Sequence, residues 1–217
     1  MYQPQHFRED RLDVQHALIK AHPLGLLICT GEDGPVANAV PFLLDANASP
    51  RGTLRAHLAR ANPQWRALAG GGRALVVFQG ADSYVTPSWY ATKRETGKVV
   101  PTWNYAIVQA RGTARITEDR DWLAHHVSQL TGHNEAPRAE PWAVNDAPPS
   151  FIDAQLKGIV GIEIEIAAIE GKWKVSQNRP ESDRTGVAEG LEADQATAEA
   201  RAMAEMVRRG GGTNSSN

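Results

Sequence analysis

The sequence predicts a mainly β chain with helices, of the α+β class, whose strands form an antiparallel sheet that curls or closes. Three observations carry this. Short apolar runs succeed one another through the first half, each bounded by a turn containing Gly, Asp or Asn. No strand–helix–strand rhythm of a parallel sheet separates them. Two longer segments, 103–116 and 160–169, also have strand character, and the second alternates strictly between Ile and Glu over much of its length.

Taken in order, Arg11–Lys20 has helical spacing, with Leu12, Ala17, Leu18 and Ile19 able to face inward, and Pro23 ends it. Leu24–Thr30 is an apolar strand, Gly31–Gly34 a turn, and Val36–Leu44 the returning strand. Asn47–Gly52 turns the chain into Thr53–His57, where Leu54 and Ala56 alternate with Arg55 and His57. Arg73–Gln79 is a compact apolar run and Ser83–Thr86 a short β-prone one. Glu95–Lys98 is a turn before the long strand Trp103–Ile116. Asp121–Leu130 is a helix with Trp122, Leu123, Val127 and Leu130 on one face; Pro137–Pro149 is irregular and Phe151–Leu156 a short helix. In Val160–Ile169, Ile162, Ile164 and Ile166 oppose Glu163 and Glu165, and Trp173–Val175 extends that strand across a turn at Glu170-Gly171. Ala193–Val207 is an Ala-rich helix, and Gly210–Asn217 is a tail expected to be disordered.

A length of 217 residues suits one large domain, and no repeat or long linker divides it. The net charge of -2, with both signs mixed along the chain, leaves no basic face, so direct DNA binding lacks electrostatic support. The single cysteine, Cys29, excludes an intramolecular disulfide and points to a reducing, cytoplasmic setting. The N-terminus shows no signal-peptide pattern, and no stretch approaches the ~18 apolar residues of a membrane span. Six tryptophans are more than packing usually requires, and suit a flat aromatic ligand or an interface as well as a core.

Three segments carry candidate chemistry. In His57–Trp65 a strand closes on His57 and a helix starts at Pro63 with Asn62 as its cap. Free N–H groups at the helix start, with Arg60 and His57 beside them, make a phosphomonoester site. The same residues also suit a capped helix with a solvated arginine. In Tyr84–Lys93, three aromatics, several hydroxyls including Ser88, the ring of Trp89 and the ammonium of Lys93 provide the apolar slot and edge donors that a flavin ring needs. A hairpin with core aromatics fits them too. In Val99–Tyr105, Pro101 suits a bulge or an edge, and a bulge would re-aim Thr102 and Asn104 into a site beside Trp103. Ordinary strand alternation is the other reading. His125, His126 and His133 lack the spacing of a metal site and read as surface or core-edge residues, so no metal is expected. There is no Gly-rich phosphate loop, and Ser88 and Ser128 lack a nucleophile-elbow context. Cys29 reads as a small core residue, and no catalytic constellation emerges.

The chain resembles the PaiB-type FMN-binding negative transcriptional regulators. The likeness runs through Met1-Tyr2-Gln3-Pro4, His22-Pro23-Leu24-Gly25, Pro41–Asp45, Leu58–Trp65, Phe78-Gln79-Gly80, Ser88-Trp89-Tyr90, Lys98–Tyr105, Gly161–Ile164 and Gly171–Asn178. It spans Met1 to about Leu191, giving an expected domain of residues 1–191 followed by a C-terminal helix and tail, 192–217. It implies an antiparallel FMN-binding split β-barrel with peripheral and C-terminal helices. It also implies a homodimer with flavin at the interface and both chains contributing, and a link to negative regulation of transcription. Where the family pattern has Pro-Ser-Lys after Trp89-Tyr90, this chain has Ala91-Thr92-Lys93, so a looser loop is expected there. The cofactor-binding residues expected are His57, Arg60, Asn62, Ser88, Trp89, Lys93, Thr102, Trp103 and Asn104. Two alternatives stay open. One is a flavin-dependent oxidoreductase acting on a small molecule. The other is a haem-binding split barrel, for which His57 would be the axial ligand.

Overall fold

The computed structural model describes residues 1–194 and 197–210. Its strands are β1 (Arg8–Glu9), β2 (Leu24–Gly31), β3 (Gly34–Pro41), β4 (Leu43–Asp45), β5 (Thr53–Ala59), β6 (Arg73–Val85), β7 (Thr102–Thr117) and β8 (Ile159–Lys174). Its helices are α1 (Leu12–Ala21), α2 (Gln64–Leu68), α3 (Ala91–Thr96), α4 (Arg120–Glu135), α5 (Pro149–Lys157), α6 (Glu181–Asp194) and α7 (Ala198–Arg208). The strands form one sheet in the order β3-β2-β6-β7-β8-β5-β4, with β1 pairing β8. The ladders of β1 with β8, β2 with β3 and with β6, β4 with β5, and β5 with β8 are antiparallel.

Two compact units divide the chain. The first comprises Met1–Ala21, Gln79–Gln109 and the chain from Glu170; the second comprises His22–Phe78 and Ala110–Ile169. The long strands β6, β7 and β8 each pass from one unit into the other along the backbone.

In the second unit, sequence alternation becomes a core through register. Leu54 pairs with Ile164, Ala56 with Ile162 and Leu58 with Val160. All six are nearly inaccessible to solvent, and each fully buried Leu, Ile or Val side chain contributes about 1.5–3 kcal/mol by leaving water. The opposite face pairs Arg55 with Glu163. The guanidinium reaches Glu163 and Asp45, each at 2.9 Å, and Arg115 meets the other oxygen of Glu163 at 2.6 Å. Although burial opposes ionisation of Glu163, its two arginines hold its carboxyl below the usual range.

In the first unit, α6 and α7 bury Val187, Ala188 and Leu191 with Ala200, Met203, Ala204 and Val207. The α7 positions follow the i, i+3, i+4, i+7 stripe of an amphipathic helix.

The structure corrects several expected boundaries. The runs at 73–79 and 83–86 join as β6, a single 13-residue strand. Glu170-Gly171 is not a turn but lies inside β8, where Gly171 pairs with Glu9 of β1. A side chain at Gly171 would come within 2.9 Å of the Glu9 carbonyl, so the glycine permits close backbone approach rather than a reversal. The expected turn at Glu95–Lys98 is the end of α3, closed by Gly97 at φ 67. Of the single helix expected at 193–207, residues 193–194 end α6 and 198–207 belong to α7, which Thr197 caps by accepting from the Ala200 N–H. The expected disordered tail lies, from residue 211 onward, outside the described residues.

Candidate functional site

The expected site residues fall into two groups, one in each unit. In the second unit, β5 carries His57, but the strand runs two residues beyond it to Ala59. The His57 ring is half-buried, and its Nδ1 lies 3.2 Å from Nε2 of His126. His126 is on α4 and only 1% exposed, so the sequence-level view of it as surface or core-edge is corrected. Its neighbour His125 does face solvent. The indole of Trp122 stacks on the His126 ring at 5.2 Å and 19°. Gly161, the ladder partner of His57, leaves room for that indole. Burial pushes both imidazoles below their ordinary pKa, His126 to about 4, where His57, Arg55 and His125 add charge repulsion.

Arg60 follows β5. Its Nε donates to the Lys157 carbonyl at 2.8 Å and one Nη to the Ile159 carbonyl at 3.2 Å, while the other Nη pairs with Glu118. Its guanidinium therefore fastens the end of β5 to the start of β8 as well as carrying charge. Asn62 accepts from the Gln64 N–H at 3.0 Å, and Pro63 occupies the cap position rather than the first helical turn.

In the first unit, Trp89 ends a short 3-10 turn, Pro87–Trp89. Its Nε1 donates to Asp194 at 2.9 Å. A side chain at Gly190 of α6 would collide with the indole and one at Gly186 with the Trp89 carbonyl, so Trp89 lies against the helix. The Lys93 ammonium donates to the Ser88 hydroxyl at 3.1 Å, and both residues are exposed. The departure at Ala91-Thr92 does not loosen this segment. The N–H and hydroxyl of Thr92 each donate at 2.9 Å to Asp183, which is fully buried.

Pro101 precedes β7 instead of interrupting it, so no bulge re-aims Thr102 and Asn104. Regular alternation turns Asn104 inward, where its amide donates to Ser176 at 2.9 Å. Ser176 is held at φ 64, a conformation unusual for a residue with a side chain. Trp103 points outward, 55% exposed, and forms an edge-on pair with Tyr84, 42% exposed, at 6.0 Å.

Sequence reading missed Lys172 and Lys174. The Lys174 ammonium donates to the Thr102 hydroxyl and, at 2.5 Å, to the Trp103 carbonyl. It also lies 5.9 Å from the Tyr105 ring centre. Burial, with Lys172 and Arg179 nearby, pushes the Lys174 pKa down. Lys172 sits between the rings of Tyr105 and Tyr2, at 5.2 and 5.5 Å. Two signals were available: both lysines lie two apart on a strand, and both fall in Gly171–Asn178, a segment of the family likeness.

This donor set fits a flavin. Exposed aromatic faces suit a planar ring, and the half-buried Lys174 ammonium suits its electron-rich carbonyl edge. The His57, Arg60 and Asn62 group and the Lys93–Ser88 pair both have the cation-and-donor chemistry of a phosphate contact.

Comparison with known proteins agrees with this chemistry. Residues 1–168 match the family model described as "Putative FMN-binding domain". A protein of Emericella nidulans is 36% identical over 94% of both chains. The protease synthase and sporulation protein PAI 2 of Bacillus subtilis is 31% identical over 95% of this chain and 96% of its own. Among solved structures, the FAD and haem binding protein of Mycobacterium smegmatis superposes with a TM-score of 0.56 at 20% identity, covering 76% of this chain and 71% of that one. That likeness shows the fold, an antiparallel split barrel with helices.

Proposed function

The chain belongs to the family of FMN-binding domains that includes the PaiB type, and on that premise we propose that it binds FMN as a homodimer and acts in regulation. The observation that carries the proposal is the Tyr84–Trp103 pair beside Lys174: an exposed aromatic surface next to a captive ammonium. Ring recognition is assigned to Trp103, Thr102 and Lys174, with Ser88, Trp89 and Lys93 at the adjoining segment and Asn104 acting through Ser176. Phosphate recognition is assigned to His57, Arg60 and Asn62. In a homodimer the two groups need not come from one chain. A terminal phosphomonoester contact favours FMN over riboflavin, and over FAD, whose phosphates are bridged.

Bound flavin would supply one- and two-electron redox chemistry. The residues of this chain bind and orient it and hold charge at its edge. The cytoplasmic setting rests on Cys29, the single and buried cysteine. No helix among the described residues is long and apolar enough to cross a membrane. Regulation of transcription is read as indirect, without a DNA-reading surface of its own.

The test is the absorbance spectrum of the purified full chain, as isolated and then during titration with FMN, FAD, riboflavin and haem. Flavin bands with FMN binding tightest are expected. A haem spectrum, or equal affinity for FMN and riboflavin, would overturn the assignment.

A further inference from the structure

The pair His57–His126 has one polar atom that nothing satisfies: Nδ1 of His126, buried and without a hydrogen-bond partner. A neutral imidazole carries one proton, so the pair can be arranged in two ways. If His57 donated from Nδ1, the His126 proton would sit on its Nδ1, an orphaned donor inside the protein. If His126 donates from Nε2 to Nδ1 of His57, its Nδ1 is only a bare lone pair. Orphaned N–H groups are rare inside folded proteins, so the arrangement that leaves only an unprotonated nitrogen without a partner is favoured.

We infer that His126 is a positioning residue: by donating from Nε2 it holds His57 as the Nε2–H tautomer, so that His57 meets its ligand as a hydrogen-bond donor to an anionic oxygen such as that of a phosphomonoester. This rests on the proposed flavin reading for the identity of the ligand, but not for the tautomer. The packing supports it. Trp122 stacks on His126 over the space left by Gly161, the residue paired with His57, so the His126 ring is fixed by Trp122 on its face and by His57 at its edge. Protonation of His126 would add a second buried donor, and burial, His57, Arg55 and His125 all oppose it. Burial thus disfavours the charged form of both rings, and the orphaned Nδ1 of His126 directs the shared proton one way. The arrangement was invisible locally, since the two histidines are 69 positions apart.

The test is ring nitrogen NMR of the full chain labelled at histidine, with titrations of FMN, riboflavin and inorganic phosphate. In the parent protein His57 should show a protonated Nε2 and an unprotonated Nδ1. His126→Phe keeps the stack on Trp122 but removes the donor. It should give a tautomer mixture at His57 and weaken FMN and phosphate about tenfold, leaving riboflavin within twofold. His126→Gln, which retains an amide donor, should restore both the signature and the affinity. A protonated Nδ1 on His57 in the parent protein overturns the inference, and this reading needs no variant to fold. The expected tautomer with no flavin or phosphate binding would leave His126 as the positioning residue but sink the flavin reading.

Discussion

At His126 and Lys174 burial opposes charge, and each conflict has a measurable consequence. A histidine whose folded pKa is depressed binds protons better when unfolded, so the fold loses stability as pH falls below the unfolded value. For His126 the window runs from its ordinary 6.5 down to about 4. Across it the loss is on the order of 3 kcal/mol, with His57 adding in the same direction. Urea denaturation at a series of pH values should show this acid limb, and His126→Gln should flatten it. An unchanged limb in the variant would mean that carboxylates, not this pair, set acid stability. For Lys174→Met, the aliphatic stem is largely kept and the charge is removed. FMN affinity should fall by about 1.5–3 kcal/mol, the scale of a hydrogen bond to a charged group, as read by flavin fluorescence titration. Sequence reading found Thr102 and Trp103 but not Lys174, because a lysine two positions from another on a strand usually marks a solvated face.

At the scale of elements, α6 depends on Trp89. Gly190 lies inside the helix, where alanine would ordinarily add about 1 kcal/mol through propensity. Here its methyl would enter the indole, which the bond to Asp194 restrains from moving away. Overpacking of this kind costs about 1–3 kcal/mol, so the collision wins. Gly190→Ala should lower the thermal midpoint, and the same change should become neutral or stabilising in a Trp89→Ala background. A double-mutant cycle with no coupling would show that the indole does not hold the helix. The strands β2, β5 and β7, and β8 as far as Ile169, were legible because period-two alternation and turn residues are local signals. The helices α3 and α6 were not: Ala91–Thr96 is short, and α6 contains two glycines and a mixed polar face whose fit is supplied by Trp89.

For the whole molecule, sedimentation at micromolar concentration should report about twice the chain mass, since a two-fold dimer is the commonest assembly. An FMN-loaded monomer would refute the shared-site reading. Gel-shift titration against the protein's own upstream DNA should give no complex at physiological salt. The basic residues are scattered, and several are paired: Arg55 with Asp45 and Glu163, Arg60 with Glu118, and Arg208 with Glu192. Few counterions would therefore be released on binding. A salt-resistant complex would reveal a DNA surface formed in the dimer.

The sequence by itself determined the α+β class, the inward sets Leu54, Ala56, Ile162 and Ile164, and the segments that carry aromatic and polar chemistry. These are encoded by neighbours a few positions apart, where alternation and turn preference act. Only the tertiary structure decided which of those side chains are exposed and which are tied into the scaffold. It set His126 on His57, Lys174 on Thr102 and Asp194 on Trp89, across 69, 72 and 105 positions. Such pairings depend on strand register and helix placement, which many distant contacts fix together and no local pattern records.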